Sequence, residues 1–322
     1  MSVEPEKLLP VQPAHQLPVR TEAQRWLVTG LWLEQAVGVL GGEPKCCKSF
    51  LALDLAVSVA SGTACLRQFP VPTAGRVLLY AAEDALHIVR RRLEGICAAA
   101  QVSFEDLDVQ VITAPTVRLD LPADRERLER TVGAFKPRLL VLDPFVRLHR
   151  IDENASGEVA PLLAYLRELQ RRYALSVLVV HHARKGGARM RAGQALRGSS
   201  EFHAWGDCNL YLRRMESQLT LTVEHRAAPS LPPIDLELAQ CGESLALGIR
   251  ASAPSTPEPP SPTSVDERII HALSDADQPL SAAELRSLCS ARKSTFYARL
   301  EELTRAGRLL RSPEGYRLAV TA

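Results

Sequence analysis

Gly42-Glu43-Pro44-Lys45-Cys46-Cys47-Lys48-Ser49 sets a lysine and a hydroxyl side by side behind a turn-forming run. That order suits a polyanion. Loop N–H groups and the positive end of a following helix attract phosphate oxygens, the lysine reaches the outer phosphates, and the hydroxyl ligates Mg²⁺. The spacing matches GxxxxGK[ST] except at Cys47, where glycine is expected. A side chain there crowds the phosphates or strains the turn. With Phe50 added, residues 42–50 are the candidate contacts for ATP and its Mg²⁺.

Other residues fit the same chemistry. Asp143 closes the apolar run Arg138-Leu-Leu-Val-Leu-Asp, where a carboxylate can join Ser49 in holding a metal. Glu83, just past another apolar run, can polarise an attacking water, and the adjacent Asp84 is an alternative. His181-His182 ends a third run, where a polar residue can sense the outermost phosphate. Between His182 and Glu201 lie Arg184, Lys185, Arg189, Arg191 and Arg197, with four glycines and no acid. A one-signed loop of this kind suits a phosphodiester backbone, here that of single-stranded DNA.

These residues need a scaffold. Apolar patterning predicts strands at 37–41, 76–81, 109–113, 139–143 and 176–181, alternating with helices at 48–61, 85–100, 123–135 and 158–173. In the second helix Leu86, Val89, Leu93 and Ile96 share one face. Near-continuous apolar strands separated by helices predict an α/β fold, a mostly parallel sheet covered on both faces. Shorter strands at 210–213 and 218–224 read as an antiparallel hairpin, which 234–238 and 244–249 extend.

The chain divides into a flexible N-terminal arm (1–24), the α/β domain (25–250), a Pro/Ser/Thr-rich linker (251–264) and a small C-terminal domain (265–322). In the last, helices at 266–274, 282–288 and 292–307 precede strands at 308–311 and 316–320, the outline of a winged helix-turn-helix. The third helix buries Phe296, Leu300 and Leu303 and leaves Arg292, Lys293, Tyr297 and Arg299 exposed, as in a recognition helix for duplex DNA.

Composition narrows the remaining classes. A net charge of +2 identifies no partner by itself. Seven scattered cysteines without CxxC spacing fit reduced cytoplasmic thiols rather than a disulfide framework or a zinc site. No apolar stretch approaches the roughly 20 residues of a membrane span.

The loop at 42–49, Glu83-Asp84, Asp143-Pro144, His181-His182 and Arg197-Gly198-Ser199 follow the order of RecA-like ATPases. Over residues 25–250 the chain resembles the plasmid and phage replicative helicases typified by RepA. The resemblance implies a RecA-like fold, ATP-driven work on DNA, and a homo-oligomeric ring, usually a hexamer, with nucleotide between subunits. It implies Glu83 as the water-activating carboxylate and His181 or His182 as the phosphate sensor. It also implies that the 183–200 loop lines the DNA channel, with coupling through His181, and that Arg226 reaches a neighbour's nucleotide.

Overall fold

The computed structural model describes residues 9–182, 201–216, 218–241, 244–250, 264–276, 278–289, 293–313 and 315–319. The basic segment 183–200, nearly all of the Pro/Ser/Thr-rich stretch and Arg292 lie outside the described residues. The chain separates into two compact units, Met1–Ala251 and Ser252–Ala322.

A short hairpin, β1 (Trp26–Val28) and β2 (Trp32–Leu33), precedes the main sheet of the larger unit and escaped the sequence reading. The sheet takes its parallel part from β3 (Val37–Gly42), β4 (Val77–Ala81), β5 (Val109–Val111), β6 (Leu139–Asp143), β7 (Ser176–His182) and β8 (Cys208–Met215). From β8 it continues antiparallel through β9 (Gln218–His225), β10 (Ile234–Cys241) and β11 (Ser244–Ile249). The spatial order is β11-β10-β9-β8-β3-β7-β6-β4-β5. This is the expected RecA-like arrangement.

Alternate side chains of the central strands feed two separate cores. Val141, Leu178 and Val180 pack with α1 (Lys48–Ser61) and α2 (Leu86–Ala100) on one face. Leu140, Leu142, Val177 and Val179 pack with α3 (Pro122–Phe135), α4 (Ser156–Tyr173) and α5 (Glu201–Trp205) on the other. Burial on both faces is why these strands lack polar alternation. The apolar stripe of α2 is one residue shorter than expected. Val89, Leu93 and Ile96 are buried, whereas Leu86, in the first turn, is 52% exposed.

The smaller unit contains α6 (Val265–Ser274), α7 (Ala282–Cys289), α8 (Lys293–Arg305) and a hairpin of β12 (Leu309–Ser312) and β13 (Gly315–Leu318). Ser264 and Glu267 form a reciprocal capping box at the start of α6. Ser281 and Glu284 do the same for α7, with bonds of 2.8 and 3.3 Å. Ile269, Leu285, Phe296, Leu300, Leu303 and Leu309 make this unit's own core.

Candidate active site

β3 stops at Gly42, and the chain turns through Lys45 and Cys47, each at φ 65°, before α1 opens at Lys48. Left-handed residues at alternate positions aim successive N–H groups inward, and the helix end adds its positive dipole. The result is an anion-binding nest. A Cβ on Gly42 would come within 2.5 Å of the Leu212 carbonyl oxygen and 2.6 Å of Cys46 Sγ, so this position admits no side chain.

Cys47 keeps the left-handed conformation without being glycine, at a cost of about 1–2 kcal/mol. The expected strain is therefore present. Arg214 Nη2, at the end of β8, lies 3.2 Å from Cys47 Sγ. Cys46 is instead buried in the core, and burial raises its thiol above the ordinary range.

The Lys48 ammonium donates to the carbonyls of Gly42 at 2.9 Å and Glu43 at 2.8 Å, which holds its charge across the mouth of the loop. Facing it, Asp143 ends β6 and is 9% exposed. Burial pushes the Asp143 carboxyl up to about 6. A hydrogen bond from Ser49 and the charge of Lys48 oppose that rise, while Asp84 and Glu83 reinforce it. A buried carboxylate bonded to the serine hydroxyl, with two more carboxylates nearby, is a hard oxygen set. That set fits Mg²⁺, which would take Ser49 and Asp143 and complete its shell with phosphate and water oxygens.

Lys48, Ser49 and Asp143 line a cleft of about 250 Å³, together with Lys45, Cys47, Phe50, Glu83, Arg92 and His182. Of the two acids after β4, Glu83 lines the cleft and accepts from Arg147 Nε at 2.8 Å. Asp84 is paired with Arg92, whose guanidinium sits 5.1 Å above the Phe50 ring. Arg92 and Arg147 were missed by the sequence reading. Arg92 is the last of three consecutive arginines, and Arg147 follows an irregular stretch, so spacing singles out neither.

The two histidines, alternatives in the sequence, are separated by the structure. Successive strand residues point to opposite faces, so His182 emerges on the α1 face and lines the cleft, whereas His181 faces the other core. There His181 stacks on Phe202 of α5 at 4.1 Å and is 1% exposed. Its Nδ1 lies 3.8 Å from Glu153, whose carboxylate is also 3.4 Å from His149. Phe145 packs against His149 and Phe202 and closes this cluster. His182 thus lines the cleft beside the phosphate loop, and His181 belongs to the packing behind it.

Arg226 lies elsewhere. Cys208 pairs with Gly38 on one side and His225 on the other, so Arg226 follows β9 at the end of the sheet opposite the phosphate loop. It is 3.4 Å from Asp207, also donates to the Ala204 carbonyl, and keeps 56% of its side chain exposed. It takes no part in its own chain's cleft.

The nucleic-acid candidates divide. Arg184, Lys185, Arg189, Arg191, Arg197 and Arg292 fall outside the described residues, and Lys293 opens α8. Arg299 does not project freely. It is bonded to Asp266 of α6 at 2.6 Å and to Glu302 at 2.7 Å. Helical spacing placed it on the solvent side, but an acid on a neighbouring helix claims it.

Among the described residues no helix is long and apolar enough to cross a membrane. A family model described as an AAA domain matches residues 2–188, which include the phosphate loop, Glu83, Asp143 and both histidines. The match spans more than half of the 322 residues and the cleft holds the loop, lysine, serine and strand-end aspartate that such a domain uses; the chain belongs to this AAA-domain family, and its larger unit is a P-loop ATPase.

Proposed function

We propose that this ATPase is a DNA motor of the replicative-helicase kind, resembling RepA and assembling as a hexameric ring. The observation carrying this reading is the placement of His182. It lines the phosphate-facing cleft, and the chain passes from it directly into 183–200, five cations and no acid. A change at the terminal phosphate thereby acts on the first residues of a segment suited to single-stranded DNA.

In this mechanism Lys48 and the loop N–H groups hold the β- and γ-phosphates. Mg²⁺, when bound, withdraws charge from the phosphoryl oxygens. Glu83 orients a water for in-line attack on the γ-phosphorus and takes its proton as the bond to ADP breaks. Arg147 keeps the Glu83 carboxylate at the mouth of the cleft. Arg226 lies away from its own cleft and half-exposed, as a residue acting on a neighbour's nucleotide must. The C-terminal unit is a winged-helix module for duplex DNA.

A tailed duplex tests the reading. ATP should drive strand displacement by the wild type but not by Lys48→Ala, with ATPase measured in parallel. ATP hydrolysis stimulated by DNA, with no displacement from either tail polarity, would replace the helicase with an ATP-switched DNA-binding protein. The separate compact C-terminal unit favours that second reading over a bare motor.

A further inference from the structure

Glu153 takes no part in the phosphate chemistry above, yet only 12% of its side chain is exposed. A carboxylate taken out of water is held where polar or cationic groups face it. Two imidazoles do so here. His149 Nε2 lies 3.4 Å and His181 Nδ1 3.8 Å from the same oxygen, Glu153 Oε1. His149 belongs to the loop after β6 and His181 to the tip of β7, so one carboxylate ties the loop to the strand.

The loop itself is short and internally bonded. The Arg147 N–H donates to the Pro144 carbonyl at 3.2 Å, and the Leu148 N–H to the Phe145 carbonyl at 2.8 Å. Leu148 is buried, and its carbonyl accepts from the Leu119 N–H at 2.6 Å. Phe145 and His149 pack ring against ring at 4.6 Å. On either side of Glu153, the Asn154 N–H donates to Asp152 Oδ1 at 2.9 Å and the Asp152 N–H to the Glu158 carboxylate, in the first turn of α4, at 3.0 Å.

This loop reaches both halves of the cleft. Arg147 donates to Glu83 at 2.8 Å, and Glu153 faces His181, whose chain neighbour His182 lines the cleft. We propose that residues 144–153 are a brace that fixes the distance between Glu83 and the tip of β7, with Arg147 and Glu153 as its positioning residues. This inference rests on the roles given above to Glu83 and His182. Glu153 does not line the cleft and acts through His181. In-line attack needs the water and the terminal phosphorus in near-contact alignment, and a displacement of about 1 Å costs up to about a hundredfold in rate. A loop bonded at both ends supplies that constancy between side chains carried on separate strands.

Steady-state ATPase on the full chain, with urea melts in parallel, tests the brace. Glu153→Gln keeps the volume and removes the charge that faces the imidazoles. It should lower kcat about tenfold or more, with KM for ATP within about twofold of the wild type. Arg147→Ala should show the same split, and its side chain is 62% exposed, so the variant folds. The double variant should be no slower than the slower single, because either cut releases the same link. Losses that multiply would make the two residues independent and overturn the brace. So would wild-type kcat in a stable Glu153→Gln, which would leave Glu153 a packing residue. Wild-type kcat in Arg147→Ala overturns it whatever the stability of Glu153→Gln. Glu83→Gln is the control for the underlying reading. Full turnover in that variant removes the water-activating role and the brace with it, whereas lost turnover there beside intact kcat in both brace variants defeats the brace alone.

Discussion

Asp143 shows how a functional group can work against the stability of the fold that carries it. With its carboxyl near pH 6 when folded and 3.8 ordinarily, the folded state holds the extra proton between those values. Stability contributed by this group is therefore full below about pH 3.8 and falls as pH rises to about 6. At neutral pH the buried charge is a net cost until a cation meets it. Asp143→Asn should raise resistance to urea at pH 7.5 by on the order of 1–3 kcal/mol in nucleotide-free protein with EDTA. The gain should disappear near pH 4, and ATP turnover should be lost throughout. Equal stability at pH 7.5 would mean that Ser49 and Lys48 already offset the burial. The position of Asp143 was legible because a carboxylate ending an apolar strand, paired with a phosphate loop, leaves few other readings. The costs at Cys47 and Asp143 differed in this respect. A non-glycine residue where the motif wants glycine signals strain from sequence, whereas desolvation depends on neighbours that no local pattern reveals.

At the scale of elements, the tip of β7 separates two tasks by the pleat of a strand. His182 faces the cleft, and His181 faces Phe202, Glu153 and His149. Sequence adjacency made the two look interchangeable, although the strand's own alternation, counted from Val177 and Val179, would have separated them had the identity of each face been known. Helix ends, the parallel strands and the antiparallel extension were legible for a simpler reason, because period and turn chemistry are local. The β1–β2 hairpin was not, since two tryptophans near a glycine give too short a pattern. The separation predicts different phenotypes. His182→Ala should lower turnover at least tenfold with little change in nucleotide affinity, since it removes a contact made as the terminal phosphate reacts. His181→Ala should cost about 2–4 kcal/mol of stability by emptying a stacked, buried position. Turnover, labelled-ADP binding and urea melts on both variants check this. Lost turnover in a fully stable His181→Ala, with His182→Ala unaffected, would reverse the assignment.

At the scale of the whole molecule, the phosphate loop and Arg226 stand at opposite ends of one sheet. Gly42 pairs with Leu212 at one end, and His225 pairs with Cys208 at the other. No side-chain rotation within a chain brings Arg226 to its own Lys48, because the strands between are a rigid, doubly covered core. Arg226 can serve catalysis only if the far end of one copy meets the cleft of another. The proposed ring then makes each active site from two chains, one supplying Lys48, Asp143 and Glu83 and the other Arg226. Lys48→Ala and Arg226→Ala should each be nearly inactive alone. Mixed in equal amounts, they should recover a measurable fraction of wild-type turnover, because some interfaces pair an intact Lys48 cleft with an intact Arg226. Recovery should rise and then fall as the mixing ratio is varied, and it should vanish when both substitutions are placed in one chain and mixed with either single variant's inactive partner face. Light scattering on each mixture establishes that assemblies have formed. Assembled mixtures with no recovery at any ratio, or an Arg226→Ala variant with full turnover alone, would mean that each cleft is complete within one chain and that the Arg226–Asp207 pair only closes the far end of the sheet.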